Sequence, residues 1–241
     1  MEDRKVPAMF PLRSPLYASV LAAVLFFFGL TSSAQAVPLT SLLKPGTFID
    51  SGLLRFDEFS YENHGDMDAP ELIEVEVISG IDDDHGILIR GNFLDLGGDR
   101  TPSSASISYR VTLLDTAAKS AIQGVGMAAD FLLPGLGYAD LNGSFLADFE
   151  GAKLEVLQIS AHNFGSSPDA RGRESNYLEL PSNRRLNVVM DRVDAFSSSG
   201  FATDEAGVTL IEQTFTVVPE PQTAFLVGIG LFGLAFAGSR N

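Results

Sequence analysis

Strict alternation of apolar and polar residues is the feature of this sequence that most restricts its fold. In the segment ELIEVEVIS, Ile73, Val75 and Val77 are separated by single glutamates, and in SASISYRVTLL a similar series begins with Ile107 and Tyr109. Successive side chains of a β-strand point to opposite faces, so a two-residue period predicts strands with one buried and one wet face. Such strands are typical of antiparallel sheets. The pattern therefore predicts an all-β fold.

Turn-forming residues divide the centre of the chain into short segments of this kind. The predicted strands are Leu53–Tyr61, Glu71–Ser79, Gly86–Phe93, Ser104–Leu114, Gly143–Phe149, Lys153–Ala161, Arg185–Phe196 and Gly207–Val218. Between them, stretches rich in Gly, Pro, Asn, Asp and Ser are interpreted as turns. The segment Asp115–Ile122 suits one short helix, which the glycines after it prevent from growing longer. Many short strands joined by turns indicate an antiparallel β-sandwich of jelly-roll type.

The first 36 residues have the three parts of a secretory signal peptide. Three basic residues occur within the first 13 positions, an uncharged apolar run follows from Leu16 to Leu30, and Ala34-Gln35-Ala36 gives the small-x-small pattern of a cleavage site. The apolar run is shorter than the roughly 20 residues that a membrane-spanning helix needs. We therefore predict a signal helix that is removed after Ala36, and residues 37–218 as the exported domain.

Charge and cysteine content restrict what the exported domain does. The whole chain has 16 basic and 31 acidic residues, of which residues 37–218 hold 12 basic and 28 acidic, a net charge of −16. Such a surface repels phosphate backbones, which argues against nucleic acid as a partner. Cysteine is absent, so disulfides, zinc–thiolate sites and cysteine nucleophiles are excluded.

The segment GIDDDHGILIRG holds the densest group of oxygen ligands. Asp82, Asp83 and Asp84 are candidates for calcium, because hard cations bind converging carboxylate oxygens. An EF-hand would need a glutamate at the twelfth position from Asp82, where the chain has Phe93. We therefore favour a solvated hairpin turn without a metal. The acidic stretch HGDMDAPE would add oxygens if the two loops met. No cofactor is predicted.

No catalytic motif is found in the sequence. The chain has no G-x-S-x-G elbow, no P-loop and no G-x-G-x-x-G. His64, His85 and His162 lack ligand spacing and are interpreted as exposed loop residues. We predict that the protein is not an enzyme. An extracellular hydrolase is the least favoured alternative, and it requires a pocket with a carboxylate pair or a Ser/His pair at its floor.

Carbohydrate binding is the alternative that the aromatic residues leave open. The apolar face of a sugar ring stacks on aromatic side chains, and tryptophan is absent from this chain. Tyr109 lies on the apolar face of its predicted strand and is assigned to the core. Tyr138 and Tyr177 are predicted to lie in loops and are the candidates for contact with a ligand.

The C-terminal segment, residues 219–241, is distinct from the acidic domain before it. Residues Thr223–Gly238 are uncharged and predict a short apolar helix of roughly 24 Å, against a hydrocarbon core of about 30 Å. The segment is therefore marginal as a permanent transmembrane span. A marginal apolar segment behind a polar motif also suits a signal that is recognised and removed.

The residues of this tail resemble the PEP-CTERM sorting signal of Gram-negative bacteria. Val218-Pro219-Glu220-Pro221 precedes the apolar segment, and the basic residue Arg240 follows it, so the resemblance covers the last 24 residues. It implies export through the inner membrane, recognition of Pro219, Glu220 and Pro221 by an exosortase, and removal of the tail. Such tails usually end in several arginines, whereas this one has Arg240 alone.

Together these features predict where the protein is delivered better than what it does there. We favour a structural or interaction protein sorted to the cell envelope, the cell surface or an extracellular matrix. An exosortase-type processing enzyme, transiently the inner membrane, and exopolysaccharide are the expected partners. A carbohydrate-binding module on the same fold is the main alternative.

Overall fold

The computed structural model describes residues 36–79, 84–98, 101–114, 120–148, 151–163, 170–198 and 205–219. The predicted signal helix and the predicted C-terminal apolar helix lie outside these residues. The described part contains a four-residue helix α1 (Leu39–Leu42), a 3-10 turn (Pro70–Leu72) and twelve strands. The strands are β1 (Val37–Pro38), β2 (Phe48–Ser51), β3 (Leu54–His64), β4 (Glu74–Ser79), β5 (Asp84–Leu96), β6 (Ser103–Leu113), β7 (Ser120–Leu133), β8 (Gly137–Ala147), β9 (Leu154–Asn163), β10 (Ala170–Asn183), β11 (Arg185–Ser197) and β12 (Glu205–Pro219).

These strands form two antiparallel sheets of six strands each. Sheet A has the order β1-β4-β5-β12-β7-β10, and sheet B has the order β2-β3-β6-β11-β8-β9. The four-strand sets β5-β12-β7-β10 and β6-β11-β8-β9 follow the strand order of an eight-stranded jelly roll, and the first four strands extend both sheets at one side. The prediction of an all-β, antiparallel two-sheet fold is confirmed.

The buried faces of the two sheets enclose one apolar core. Burial alternates at every position of β6, as the two-residue period of its sequence predicts. The ring of Phe56 on β3 lies 6.0 Å from that of Tyr109 on β6 and 5.7 Å from that of Phe215 on β12. Because β12 belongs to sheet A and the other two strands to sheet B, these contacts join the sheets. The assignment of Tyr109 to the core is confirmed.

A cluster of three polar side chains lies between the two sheets. Tyr109 donates a hydrogen bond from its hydroxyl to Asp191 Oδ2 at 3.3 Å. With its amide nitrogen directed at the same carboxylate, Gln213 donates to Oδ1 at 2.7 Å and to Oδ2 at 3.0 Å. Burial raises the pKa of Asp191 to about 7, and the hydrogen bond from Tyr109 opposes that shift. The cluster links β6 and β11 of sheet B to β12 of sheet A.

The prediction of a short helix at Asp115–Ile122 is wrong where it can be compared with the structure. Residues 120–122 open strand β7, and residues 115–119 lie outside the described part of the chain. Two glycines of β7 lie beneath side chains of the neighbouring strands, which leave no space for a Cβ. One built on Gly124 would overlap the hydroxyl of Tyr177 on β10, and one on Gly126 would lie 2.5 Å from Thr214 Oγ1 on β12. An aromatic side chain over strand glycines supplies contacts that those residues lack.

Candidate functional site

A row of aromatic rings crosses three neighbouring strands on the exposed face of sheet B. It consists of Phe196 on β11, Tyr138 on β8 and His162 on β9. The Phe196 and Tyr138 ring centroids are 5.8 Å apart, and those of Tyr138 and His162 are 6.1 Å apart. The planes of successive rings are inclined by 40° and 37°. We call these three residues the aromatic row.

Strand register brings these three side chains together. Phe196 pairs with Tyr138 across β11 and β8, and Tyr138 pairs with His162 across β8 and β9. The next residues on the buried side, Ala195 and Ala139, belong to the core. Since neighbouring residues of a strand face opposite sides, the aromatic row points away from the core. His162 is the most open of the three, with 42% of its side chain exposed.

Two carboxylates lie beside the aromatic row on the same face. Asp140 and Asp194 are paired across β8 and β11, each two positions from an aromatic residue of the row. Arg192 donates to both carboxylate oxygens of Asp194, with its Nε 2.9 Å from Oδ2. Partial burial and the charge of Asp194 raise the pKa of Asp140, whereas His162, 3.9 Å away, acts to lower it. The pKa of Tyr138 is raised by partial burial and by the charges of nearby aspartates.

A shallow cleft lies on the same face, towards strand β3. Its volume is about 220 Å³, and it is lined by Glu62, His64, Ser104, Ala105, Ser106 and Arg192. Ser104 and Ser106 form the floor because their small side chains on β6 lie between the longer ones of β3 and β11. Arg192 lines the cleft and also binds Asp194, so the cleft and the aromatic row are parts of one surface.

This surface can bind a ligand that is both apolar and rich in hydroxyl groups. Aromatic rings contact C–H faces, while carboxylates accept hydrogen bonds from hydroxyl donors and serine hydroxyls both donate and accept. Its two paired carboxylates, Asp140 and Asp194, lie on an open sheet face. The cleft has Glu62 as its one lining carboxylate. The cleft also places Ser104 and Ser106 in the same lining as His64, which are the residue types that the hydrolase alternative requires.

The two tyrosines that the sequence singled out are both in strands, so the prediction that they lie in loops is wrong. Tyr138 is the central residue of the aromatic row on sheet B. Tyr177 is half exposed on β10, at the edge of sheet A. One ligand on the exposed face of sheet B cannot contact both residues. Tyr138 remains a candidate, and Phe196 and His162 join it.

The three histidines also lie in strands, and their assignment to loops is wrong. His64 ends β3 and lines the cleft, His85 follows the first residue of β5, and His162 belongs to the aromatic row. His85 packs against Gly52, where a Cβ would lie only 2.2 Å from the imidazole ring. The apolar alternation around His162 did contain a signal for a strand, since Leu157, Ile159 and Ala161 have a two-residue period.

The structure separates Asp84 from the acidic stretch HGDMDAPE that was considered with it for calcium. Asp84 begins β5, and Asp82 and Asp83 lie outside the described residues. Asp68 accepts from the backbone N–H of Asn92 at 2.7 Å, and Asp66 from that of Leu96 at 3.2 Å. Asn92 is eight residues beyond Asp84 on the same strand, a separation of roughly 26 Å. Among the described residues no cluster of three or more His, Asp or Glu side chains could hold a metal ion.

Most of the predicted sorting and cleavage residues fall outside the described part of the chain. These are Ala34, Glu220, Pro221 and Arg240. Ala36 directly precedes β1, and Val218 and Pro219 are the last residues of β12, paired with Ala121 and Ser120. No helix among the residues described here has the length and apolarity to cross a membrane.

Comparison with known proteins gives matches among solved structures. No family model matches the chain, and no curated protein matches it. Among solved structures, a family 16 carbohydrate-binding module is similar over 60% of this chain and 84% of its own, with 11% identity and a TM-score of 0.29. TmCBM61 in complex with β-1,4-galactotriose is similar over 68% and 89%, with 11% identity and a TM-score of 0.28. The enzymatically active domain of bacteriophage CBA120 tailspike protein 4 is similar over 67% of this chain and 19% of its own, with 8% identity and a TM-score of 0.29.

Proposed function

We propose that this protein is a non-catalytic carbohydrate-binding protein that acts outside the cell. The observation that carries the proposal is the aromatic row, three rings in register on an exposed sheet face. Exposed aromatic side chains in a row, bordered by carboxylates and hydroxyls, suit the alternating apolar faces and hydroxyl edges of a sugar chain. A chain lying along the row would cross β11, β8 and β9.

The neighbouring cleft supports the same proposal. Its serine floor offers hydroxyl groups that both donate and accept hydrogen bonds, and its polar walls come from Glu62, His64 and Arg192. A sugar that leaves the aromatic row across Asp194 would reach this cleft on the same face. The binding surface would then extend over more than one sugar unit.

Affinity electrophoresis against a panel of polysaccharides tests this proposal. The protein is run in native gels with and without each soluble polymer, and a ligand is recognised by retarded migration. We expect retardation by at least one polysaccharide, reduced when Phe196 is replaced by alanine. If no polymer retards the folded protein, the surface is not a glycan site, and the structural or interaction role without a sugar ligand becomes the favoured function.

We further propose that the C-terminal segment is a sorting signal that an exosortase recognises and removes. The support is the Pro-Glu-Pro sequence before a short apolar segment, together with the N-terminal signal peptide. Delivery would end at the cell surface or in an exopolysaccharide matrix. A carbohydrate-binding domain sorted to such a matrix would meet its ligand there.

Replacement of Glu220 by alanine is expected to block this processing. Intact mass spectrometry of the protein from its native host should give a mature form that starts at Val37 and lacks the apolar tail. The Glu220→Ala variant should retain the tail, because the acidic residue of the recognised motif is lost. Gln222→Ala, a neighbouring change outside the motif, serves as the control and should be processed normally. Retention of Thr223–Asn241 by all three forms would identify the segment as a plain anchor.

A further inference from the structure

We infer that the ligand of the aromatic row is a neutral polysaccharide, one that carries neither carboxylate nor sulfate groups. This inference rests on the proposed carbohydrate-binding function and specifies its substrate class. It comes from the arrangement of charges on the exposed face of sheet B. Two features of that face carry it: the pairing of its arginines and the position of its carboxylates.

The arginines of sheet B are all bound to carboxylates of the same sheet or its adjoining loop. The six strands of the sheet contain four arginines and no lysine. Their ion pairs are Arg55–Asp50 at 2.9 Å, Arg110–Asp57 at 2.7 Å, Arg192–Asp194 at 2.9 Å and Arg185–Asp148 at 3.4 Å. An anionic ligand needs a cationic donor to replace its water, and each arginine would have to leave an existing partner to supply one.

The carboxylates nearest the aromatic row favour hydroxyl donors and disfavour anions. On β8, Asp140 is the outward-facing residue next to Tyr138. On β11, Asp194 is the outward-facing residue next to Phe196. An ionised carboxylate accepts hydrogen bonds and donates none. Neutral sugars offer several hydroxyl donors, whereas a uronate or sulfate group brings a like charge towards both aspartates. Such like-charge contact is a common means by which proteins reject an unwanted ligand.

The net charge of the whole domain also disfavours an anionic ligand. The exported domain has a net charge of −16, so a polyanion is repelled before it reaches the site. His162 is the cationisable residue of the aromatic row, and it lies 3.9 Å from Asp140. Since the arginines of this face are already paired with carboxylates, binding should depend on stacking and hydroxyl contacts. It should change little with salt, since salt screens interactions between charges.

Native gels that contain either neutral or anionic polymers test the inference at pH 8. The neutral set comprises galactan, xylan, mannan and mixed-linkage glucan, and the anionic set comprises alginate and polygalacturonate. We expect the unmodified protein to bind at least one neutral polymer ten times more tightly than either anionic one. That affinity should change less than twofold between low and high sodium chloride.

Two charge-reversal variants, one at the site and one away from it, test the role of the local carboxylate. Asp140→Lys is expected to gain at least threefold in affinity for alginate or polygalacturonate, with a dependence on salt. Glu179→Lys makes the same change in net charge at an exposed position of β10 in sheet A, and it should not gain. If Asp140→Lys does not fold, Asp140→Asn removes the charge without adding one and should show a smaller gain in the same gels.

The results separate this inference from the function on which it rests. Tight, salt-sensitive binding of the unmodified protein to alginate or polygalacturonate would overturn the neutral ligand and leave carbohydrate binding in place. Equal gains by Asp140→Lys and Glu179→Lys would show that net charge selects the ligand, which also contradicts the role given to Asp140. Absence of retardation by every polymer would remove the proposed function and the inference together.

Discussion

At pH 8 the Asp191→Asn variant is expected to be more stable than the unmodified protein, by up to about 4 kcal/mol in free energy of unfolding. At pH 4 the two proteins should have nearly the same stability. The reason is the position of Asp191 in the core between the sheets, where it is 1% exposed. Desolvation disfavours its charged form and raises its pKa to about 7.

The sign of the effect follows from proton binding. An unfolded chain holds this aspartate at an ordinary pKa near 3.9, so between about pH 4 and pH 7 the folded protein binds the additional proton. The contribution of Asp191 to stability is therefore present at low pH and is lost as the pH rises through 7. Asparagine has a similar shape and stays neutral, and the amide of Gln213 can pair with it because that amide both donates and accepts.

Urea unfolding at half-unit steps from pH 4 to pH 8 measures this difference. The stability difference between the variant and the unmodified protein should grow across the range, and other carboxylates cancel because both proteins share them. Tyr109→Phe is a useful companion variant. Removing its hydroxyl abolishes the hydrogen bond that lowers the pKa of Asp191, so the loss of stability should move to higher pH. A variant less stable than the unmodified protein at pH 8 would mean that the buried charge is stabilising.

Replacement of Tyr138 by alanine is expected to weaken polysaccharide binding about five- to thirtyfold. Truncation of a central aromatic contact at a binding surface costs about 1–2 kcal/mol, which corresponds to that range of affinity. Tyr138 has this central position because its ring lies between those of Phe196 and His162. Isothermal titration calorimetry with an oligosaccharide of the polymer that retards the protein measures the loss.

Tyr177→Ala is the matched control for this experiment. It removes the same side chain from a partly exposed strand position, but on sheet A, and it should leave the affinity unchanged. Melting curves of both variants show whether each remains folded. Equal loss of affinity in the two variants would contradict a site on sheet B. Loss in Tyr177→Ala alone would move the site to the opposite face.

The sequence predicts the class of this fold because a strand buried on one side has alternating apolar and polar residues, a pattern visible within a short segment. β4 and β6 carry that signature in single short segments, and both are found where the alternation places them. β7 and β10 do not. The glycines of β7 suggest a turn when considered alone, whereas in the structure Tyr177 comes from another strand to cover Gly124. That contact is non-local, so no window of residues around Gly124 contains it.

The aromatic row could not be predicted for a related reason. Its three members are far apart in the sequence, at positions 138, 162 and 196, and they meet only through the register of β8 with two neighbours. Register depends on pairing across the whole sheet. Tyr138 was a candidate because it was predicted to lie in a loop, but it lies in strand β8. Phe196 was missed because it was considered only as the last residue of the predicted strand Arg185–Phe196.

The direction of β12 has a consequence for how far this protein can reach. The strand begins at the end of the sandwich where the aromatic row lies and finishes at the opposite end, with Pro219 paired to Ser120. Its fifteen residues cover roughly 45 Å at about 3.3 Å per residue. Attachment through the residues that follow Pro219 would therefore hold the aromatic row at the end of the sandwich farthest from the point of attachment.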